Sequence, residues 1–193
     1  MGQIIKSFLW ISNFMGLLLA IPAPVVHAQV SFPAEINKSF SPISIVAGQT
    51  SRLSVTIFNP NSFQLINAAW TDNLVGVQPG ISIANPVNLT NTCAGSVTAF
   101  SGTTTLSLSG GIVPAQAGVS PGSCTVSIDV TSTTPGNLIN TIPAGGLTST
   151  DPSGAIMVTN TTPASATLRV GVVQSPALSK TFTPNTMFST GQN

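Results

Sequence analysis

The sequence predicts an all-β chain, a two-sheet antiparallel β-sandwich preceded by a signal peptide. Three observations carry that expectation. Apolar and polar residues alternate along Leu53, Val55, Ile57, along Cys124, Val126, Ile128, Val130, and along Ala166, Leu168, Val170, Val172, the pattern of strands with one buried face. Turn signals recur between such runs, among them Ala47-Gly48, Asn59-Pro60-Asn61, Pro121-Gly122 and Pro152-Ser153-Gly154. Beyond residue 28 no window keeps apolar residues at helical spacing for three turns, and β-branched residues with frequent Gly and Pro disfavour helix.

The first element is an export signal. Lys6 supplies a positive start, Phe8 to Ile21 an apolar run, and Pro22, Pro24 and Val26-His27-Ala28 a small-residue exit, with cleavage expected between Ala28 and Gln29. The apolar run is 14 residues long and interrupted by Ser12 and Asn13, whereas a spanning helix needs about 20. A signal at 1–28 is therefore expected to leave no membrane span, and the chain is read as exported, to the cell surface, outer envelope or medium.

Weaker alternation marks further strands at 65–71, 81–84, 96–100, 104–109, 138–142 and 156–159. Many short strands broken by turns favour a sandwich closed by Greek-key connections. Trp70, the largest side chain after the signal, is expected to fill the space between the sheets.

Composition limits function. Hydrophobic residues make up 42% of the chain, enough for a core, while charged residues make up only 5%, so solubility falls to Ser, Thr, Asn and Gln. After residue 28 the bases are Lys38, Arg52, Arg169 and Lys180 and the acids Glu35, Asp72, Asp129 and Asp151, a net charge of zero. Four scattered bases cannot neutralise a run of phosphates, which excludes nucleic acid as a partner and a polybasic membrane-surface segment.

Chemistry is limited too. The single histidine, His27, lies in the signal, so no Ser-His-Asp triad is available, and two cysteines without histidine cannot make a zinc site. Asp151-Pro152-Ser153-Gly154 offers one carboxylate, too few for a tight calcium site, and reads as a surface turn. No catalytic, cofactor-binding or metal residues are assigned. In an oxidising compartment Cys93 and Cys124 are expected to form a disulfide rather than remain buried thiols. One unusual reaction merits a test, an autocatalytic Lys-to-Asn isopeptide bond, which needs a buried Lys, an Asn and a neighbouring acid. Lys38 with Asp72 or Asp129 are the candidates.

The chain repeats itself. Lys38-Ser39-Phe40-Ser41-Pro42, followed by Gly48-Gln49, returns as Lys180-Thr181-Phe182-Thr183-Pro184, followed by Gly191-Gln192. This suggests a module at 29–173 and, at 174–193, a linker and the truncated start of a second copy. A second copy cut short would lack sheet partners, so order is expected to fall away from about Val173.

The motifs also resemble a family. Lys38-Ser39-Phe40-Ser41-Pro42, Phe58-Asn59-Pro60-Asn61, Ala69-Trp70-Thr71-Asp72-Asn73-Leu74 with Pro79-Gly80, Thr92-Cys93-Ala94-Gly95, Leu106 to Gly111, Gly122-Ser123-Cys124-Thr125-Val126 and Asn140 to Gly145 are similar, in order and spacing, to the conserved repeat modules of bacterial surface and secreted proteins known as domains of unknown function of the eleven type, and their relatives. The sequence departs from that pattern at Val75 to Gly80, where the loop after Leu74 is longer. The resemblance implies immunoglobulin-like sandwiches in tandem, without assigned catalysis. Two functions follow as expectations. The first is a non-enzymatic structural spacer whose partners are further copies of the same repeat. The second is an adhesin-like module that recognises a surface or host protein by an edge strand or by loops at 85–92 and 143–160.

Overall fold

The computed structural model describes residues 30–75, 80–172 and 177–181. The chain divides into a unit spanning Met1–Val30 and a unit spanning Ser31–Asn193. All described strands lie in the second. The expected cleavage pair Ala28-Gln29 and residues 182–193 of the returning motif lie outside the described residues. Residues 177–181 carry no strand.

Among the described residues thirteen strands follow one another: β1 (Glu35–Ser41), β2 (Ser44–Val46), β3 (Thr50–Asn59), β4 (Leu65–Asn73), β5 (Ser82–Ile83), β6 (Thr90–Asn91), β7 (Ser96–Ala99), β8 (Thr105–Val113), β9 (Gly122–Thr131), β10 (Gly136–Ile142), β11 (Thr148–Thr150), β12 (Met157–Thr159) and β13 (Ala164–Gly171). No helix among the described residues is long and apolar enough to cross a membrane. One layer is the sheet β1-β3-β9-β5, with β6 also on β9. Opposite it stand two hydrogen-bonded sheets, β10-β13-β2 and β12-β11-β4-β8-β7, with β10 running beside β4. The result is an immunoglobulin-like all-β sandwich in which one layer is split in two.

The alternation read from the sequence forms the centre of the first layer. In β3, Leu53, Val55 and Ile57 are fully buried, and in β9 so are Val126, Ile128 and Val130. On the opposite face the two strands pair side chain to side chain in register. Arg52 stands across from Asp129, Ser54 from Ser127 and Thr56 from Thr125. Both hydroxyl pairs lie 2.9 Å apart and the ion pair 3.1 Å apart. Such cross-strand pairs supply the polar half of sheet stability that apolar burial leaves open.

The opening motif changes layers. β1 pairs antiparallel with β3, and beyond the Ser41-Pro42 peptide, which is cis, β2 pairs with β13. That last ladder is parallel, a departure from the antiparallel expectation. Proline at the crossing has no N–H to offer the ladder and so releases the strand from its first sheet.

Short strands were harder to anticipate. β2, β6 and β11 have two or three residues each, too few for an alternation to be read. The stretch 143–160, expected as an end loop apart from a strand at 156–159, contains β11 as well as that strand, β12, and the two extend the sheet from the edge of β4. The stretch 85–92 is also tied down. Asn88 Nδ2 donates to Asp129 Oδ2 at 2.6 Å, the Asp129 N–H donates to the Val87 carbonyl at 2.8 Å, and β6 pairs with β9.

Gly95 shows how local geometry permits this packing. Its φ is +66°, and a Cβ there would lie 2.4 Å from the Ser109 carbonyl oxygen and 2.7 Å from the Gly110 carbonyl carbon. Backbone cannot yield as a side-chain tip can. Gly95→Ala is therefore expected to lower the unfolding free energy by about 1–3 kcal/mol, from strain at a left-handed residue and from overpacking. Chemical denaturation of the two chains side by side measures it.

Candidate functional site: a lysine, an aspartate and an asparagine inside the core

Period-two alternation places the residues facing the core on three strands. On β1 they are Ile36, Lys38 and Phe40, on β4 Ala68, Trp70 and Asp72, and on β10 Leu138, Asn140 and Ile142. Three polar side chains thus occupy positions whose strand neighbours are apolar. The Lys38 and Asp72 side chains are both 0% exposed and Asn140 is fully buried.

The three meet. Lys38 Nζ donates to Asp72 Oδ2 at 2.5 Å and to Asn140 Oδ1. Asn140 Nδ2 donates to Asp72 Oδ1 at 2.9 Å and to the Asn73 carbonyl at 2.9 Å. Asp72 therefore touches the amine with one oxygen and the amide nitrogen with the other. Asn140 also ties β10 to β4, two neighbouring strands of different sheets.

Electrostatics explains why all three are needed. Withdrawing an ammonium or a carboxylate from water costs several kcal/mol per ion, and mutual attraction offsets that only when the remaining donors and acceptors are also satisfied. Asn140 meets this need on both partners. Burial pushes the Lys38 amine below its ordinary value of 10.5, against the nearby Asp72 charge and hydrogen bond, which pull it upward.

Of the two acids named for Lys38, the structure brings Asp72 to it. Asp129 faces the other way, toward Arg52 and Asn88. Arg52 is held there by Thr90 Oγ1 at 2.7 Å and by the Asn88 carbonyl. Asn140 was not singled out from the sequence. Its signal was present in the run Leu138-x-Asn140-x-Ile142, a polar residue at an inward step.

The remaining residues are structural. Cys93 and Cys124 form a disulfide, with the two residues 0% and 3% exposed. Trp70 is buried at 3% exposure, next to Asp72 on the inward face of β4. Trp70 Nε1 and Thr150 Oγ1 are the buried side-chain polar atoms without a hydrogen-bond partner among the described residues. Asp151 spends its carboxylate on its own turn. Oδ2 accepts from the Ser153 hydroxyl at 2.5 Å and from the Ser153 N–H at 3.2 Å, and Oδ1 from the Ile156 N–H at 2.8 Å.

Those bonds, led by the Ser153 hydroxyl and followed by the Ile156 N–H, hold the Asp151 carboxyl below its ordinary value of 3.8. A depressed carboxyl adds stability that is full above the ordinary value and is lost as pH falls through the folded one. Asp151→Asn is thus expected to lower the melting midpoint at neutral pH, with the gap closing as the medium is acidified below the carboxylate range. Thermal scans of both chains across pH measure it.

These features define a disulfide-stapled, immunoglobulin-like sandwich with an ionic cluster in its core. The chain belongs to a family described as a domain of unknown function, DUF7933, which matches residues 34–170. Solved structures similar to it include the major pilin subunit BcpA of Bacillus cereus, at 9% identity and TM-score 0.44, covering 71% of this chain and 39% of the pilin. A cohesin module from a family 33 glycoside hydrolase of Clostridium perfringens is similar at 8% identity and TM-score 0.43, covering 76% of this chain and all of the module. The seventh type I cohesin of ScaB from Pseudobacteroides cellulosolvens is similar at 11% identity and TM-score 0.35, covering 76% and 97%. The chain thus spans about two fifths of the pilin's length. Comparison with curated proteins finds no match.

Proposed function

We propose that the chain is a non-enzymatic structural spacer module of an exported surface protein. The observation that supports this best is the use made of the charged side chains. Lys38 and Asp72 neutralise each other in the core, Arg52 and Asp129 pair across β3 and β9, and Asp151 is consumed by its own turn. Polarity that an enzyme would hold open to a substrate serves here to hold strands together. The disulfide fits an oxidising compartment, in keeping with a signal at 1–28 cleaved before Gln29.

In this reading 29–173 is one module and Lys180-Thr181 opens the next, as Lys38-Ser39 opens the first. The partners are further copies of the module, in the tandem manner of the eleven-type modules it resembles. The full reading frame is the test. Several near-identical copies after residue 193 are expected, and a frame holding a single module would overturn the spacer role.

An adhesin-like role has one feature in its favour. The edge strand β12 carries Met157 at 70% exposure, next to the point where the Ala34 N–H already donates to the Thr159 carbonyl at 3.1 Å, and strand addition would have to begin at Met157. Attachment of cells displaying the module, with Met157→Lys as control, separates the two readings.

A further inference from the structure

We infer that Lys38 and Asn140 are joined by an intramolecular isopeptide bond, formed inside the folded sandwich with Asp72 as the proton carrier. Geometry carries the inference. An amine, an amide and a carboxyl group are enclosed together without solvent. The amine contacts the amide oxygen, and the carboxyl group bridges the amine on one side and the amide nitrogen on the other. Nucleophile, electrophile and proton carrier are each within contact of the next, the arrangement that converts a slow bimolecular aminolysis into an intramolecular step.

The step balances without an oxidant or a cofactor. Lys38 Nζ gives a proton to Asp72, leaving a neutral amine and a neutral acid, the pair that a low-dielectric interior favours. The amine lone pair attacks Asn140 Cγ, and the carbonyl π pair moves to Oδ1. Asp72 delivers its proton to Asn140 Nδ2 and takes one from the new N–C linkage. The Oδ1 pair re-forms the carbonyl, the Cγ–Nδ2 bond breaks and ammonia departs. Asp72 ends as it stood after the first transfer. The products are a Lys38–Asn140 amide and one ammonia, and the chain loses about 17 Da.

The outcome fits the place of the cluster in the fold. The bond would join β1 in one layer to β10 in the other, across 102 residues of sequence. Tension applied beyond both ends would then pass from Lys38 to Asn140 through the new amide and bypass the strands between. Formation of the bond does not depend on the spacer reading, since it follows from the core alone.

Intact mass is a poor test, because cyclisation of an N-terminal Gln29 would release the same ammonia. Tryptic mapping of the reduced, alkylated full chain is decisive. Trypsin does not cut after an acylated lysine, so the peptide ending at Lys38 should be absent. In its place the segment running through Lys38 to Arg52 should appear attached to residues 53–169, lighter than the two together by about 17 Da, with fragment ions placing the branch at Lys38 and Asn140. A folded chain that yields the free peptide ending at Lys38 and unlinked 53–169 overturns the inference. In Asp72→Asn, judged on the folded fraction, linkage should slow by about a hundredfold or more. Linkage at the native rate would remove Asp72 from the role. The native map decides the bond even where the variant gives no folded fraction.

Discussion

Truncating Asp72 to alanine is expected to destabilise the sandwich by at least about 3–5 kcal/mol, the cost of leaving a buried charge without its partner. The Lys38 side chain is 0% exposed. Asn140 offers it only a carbonyl oxygen, and the Asn140 amide nitrogen keeps only the Asn73 carbonyl. The same substitution removes the carrier on which the covalent link depends, so the loss exceeds that of the ion pair. A second chain separates the two parts. Lys38→Met with Asp72→Asn abolishes both charges while leaving an amide to meet Asn140, and should recover the ionic part but not the covalent part. Urea unfolding of the native, single and double variants measures the order, with native most stable, the double variant intermediate and Asp72→Ala least stable.

Opening the disulfide is the second large effect. The bridge closes a sequence separation of 31 residues, for which restriction of the unfolded chain gives about 3–4 kcal/mol. It also pins a weak part of the fold. Cys93 follows β6, a two-residue strand whose ladder is to β9 alone, and Cys124 stands within β9 itself. With both residues buried, reductant reaches the sulfurs only through local opening, so reduction of the native protein should be slow. Calorimetry of a Cys93→Ala, Cys124→Ala chain is expected to show a melting midpoint lower by roughly 10 °C. The stretch 93–124 is nested inside 38–140, so each link shortens the loop that the other closes, and loss of both together should cost more than the separate losses added.

The fold was legible where a strand is long and its inward residues apolar. β3, β9 and β13 follow directly from alternations such as Leu53-x-Val55-x-Ile57, and the strands at 65–73, 105–113 and 136–142 from weaker ones. β1 escaped because Lys38 sits between Ile36 and Phe40 on its inward face, and a charge there breaks the apolar pattern that marks a strand. β11 escaped for a similar reason, since its inward residue is Ser149, whose hydroxyl donates to the Val158 carbonyl at 2.9 Å.

The features that hid β1 from pattern reading are those that build the site. A chain with so few charges does not place a lysine, an aspartate and an asparagine at inward steps of three strands without satisfying them against one another. What the sequence could not supply is register and layer. Only the fold sets β1 across the core from β4 and β10, and only the outward facing of Asp129 removes it as the partner of Lys38.

Amine labelling of the folded chain tests the buried cluster most directly. Beyond residue 28 the sequence has two lysines, Lys38 and Lys180, and Lys180 is exposed. A water-soluble acylating reagent applied to the native protein should modify Lys180 and leave Lys38 untouched, and Lys38 should stay unmodified after denaturation because its nitrogen is already acylated. Modification of Lys38 in the folded chain at the rate of Lys180 would contradict the enclosure of the lysine on which the cluster and its chemistry depend.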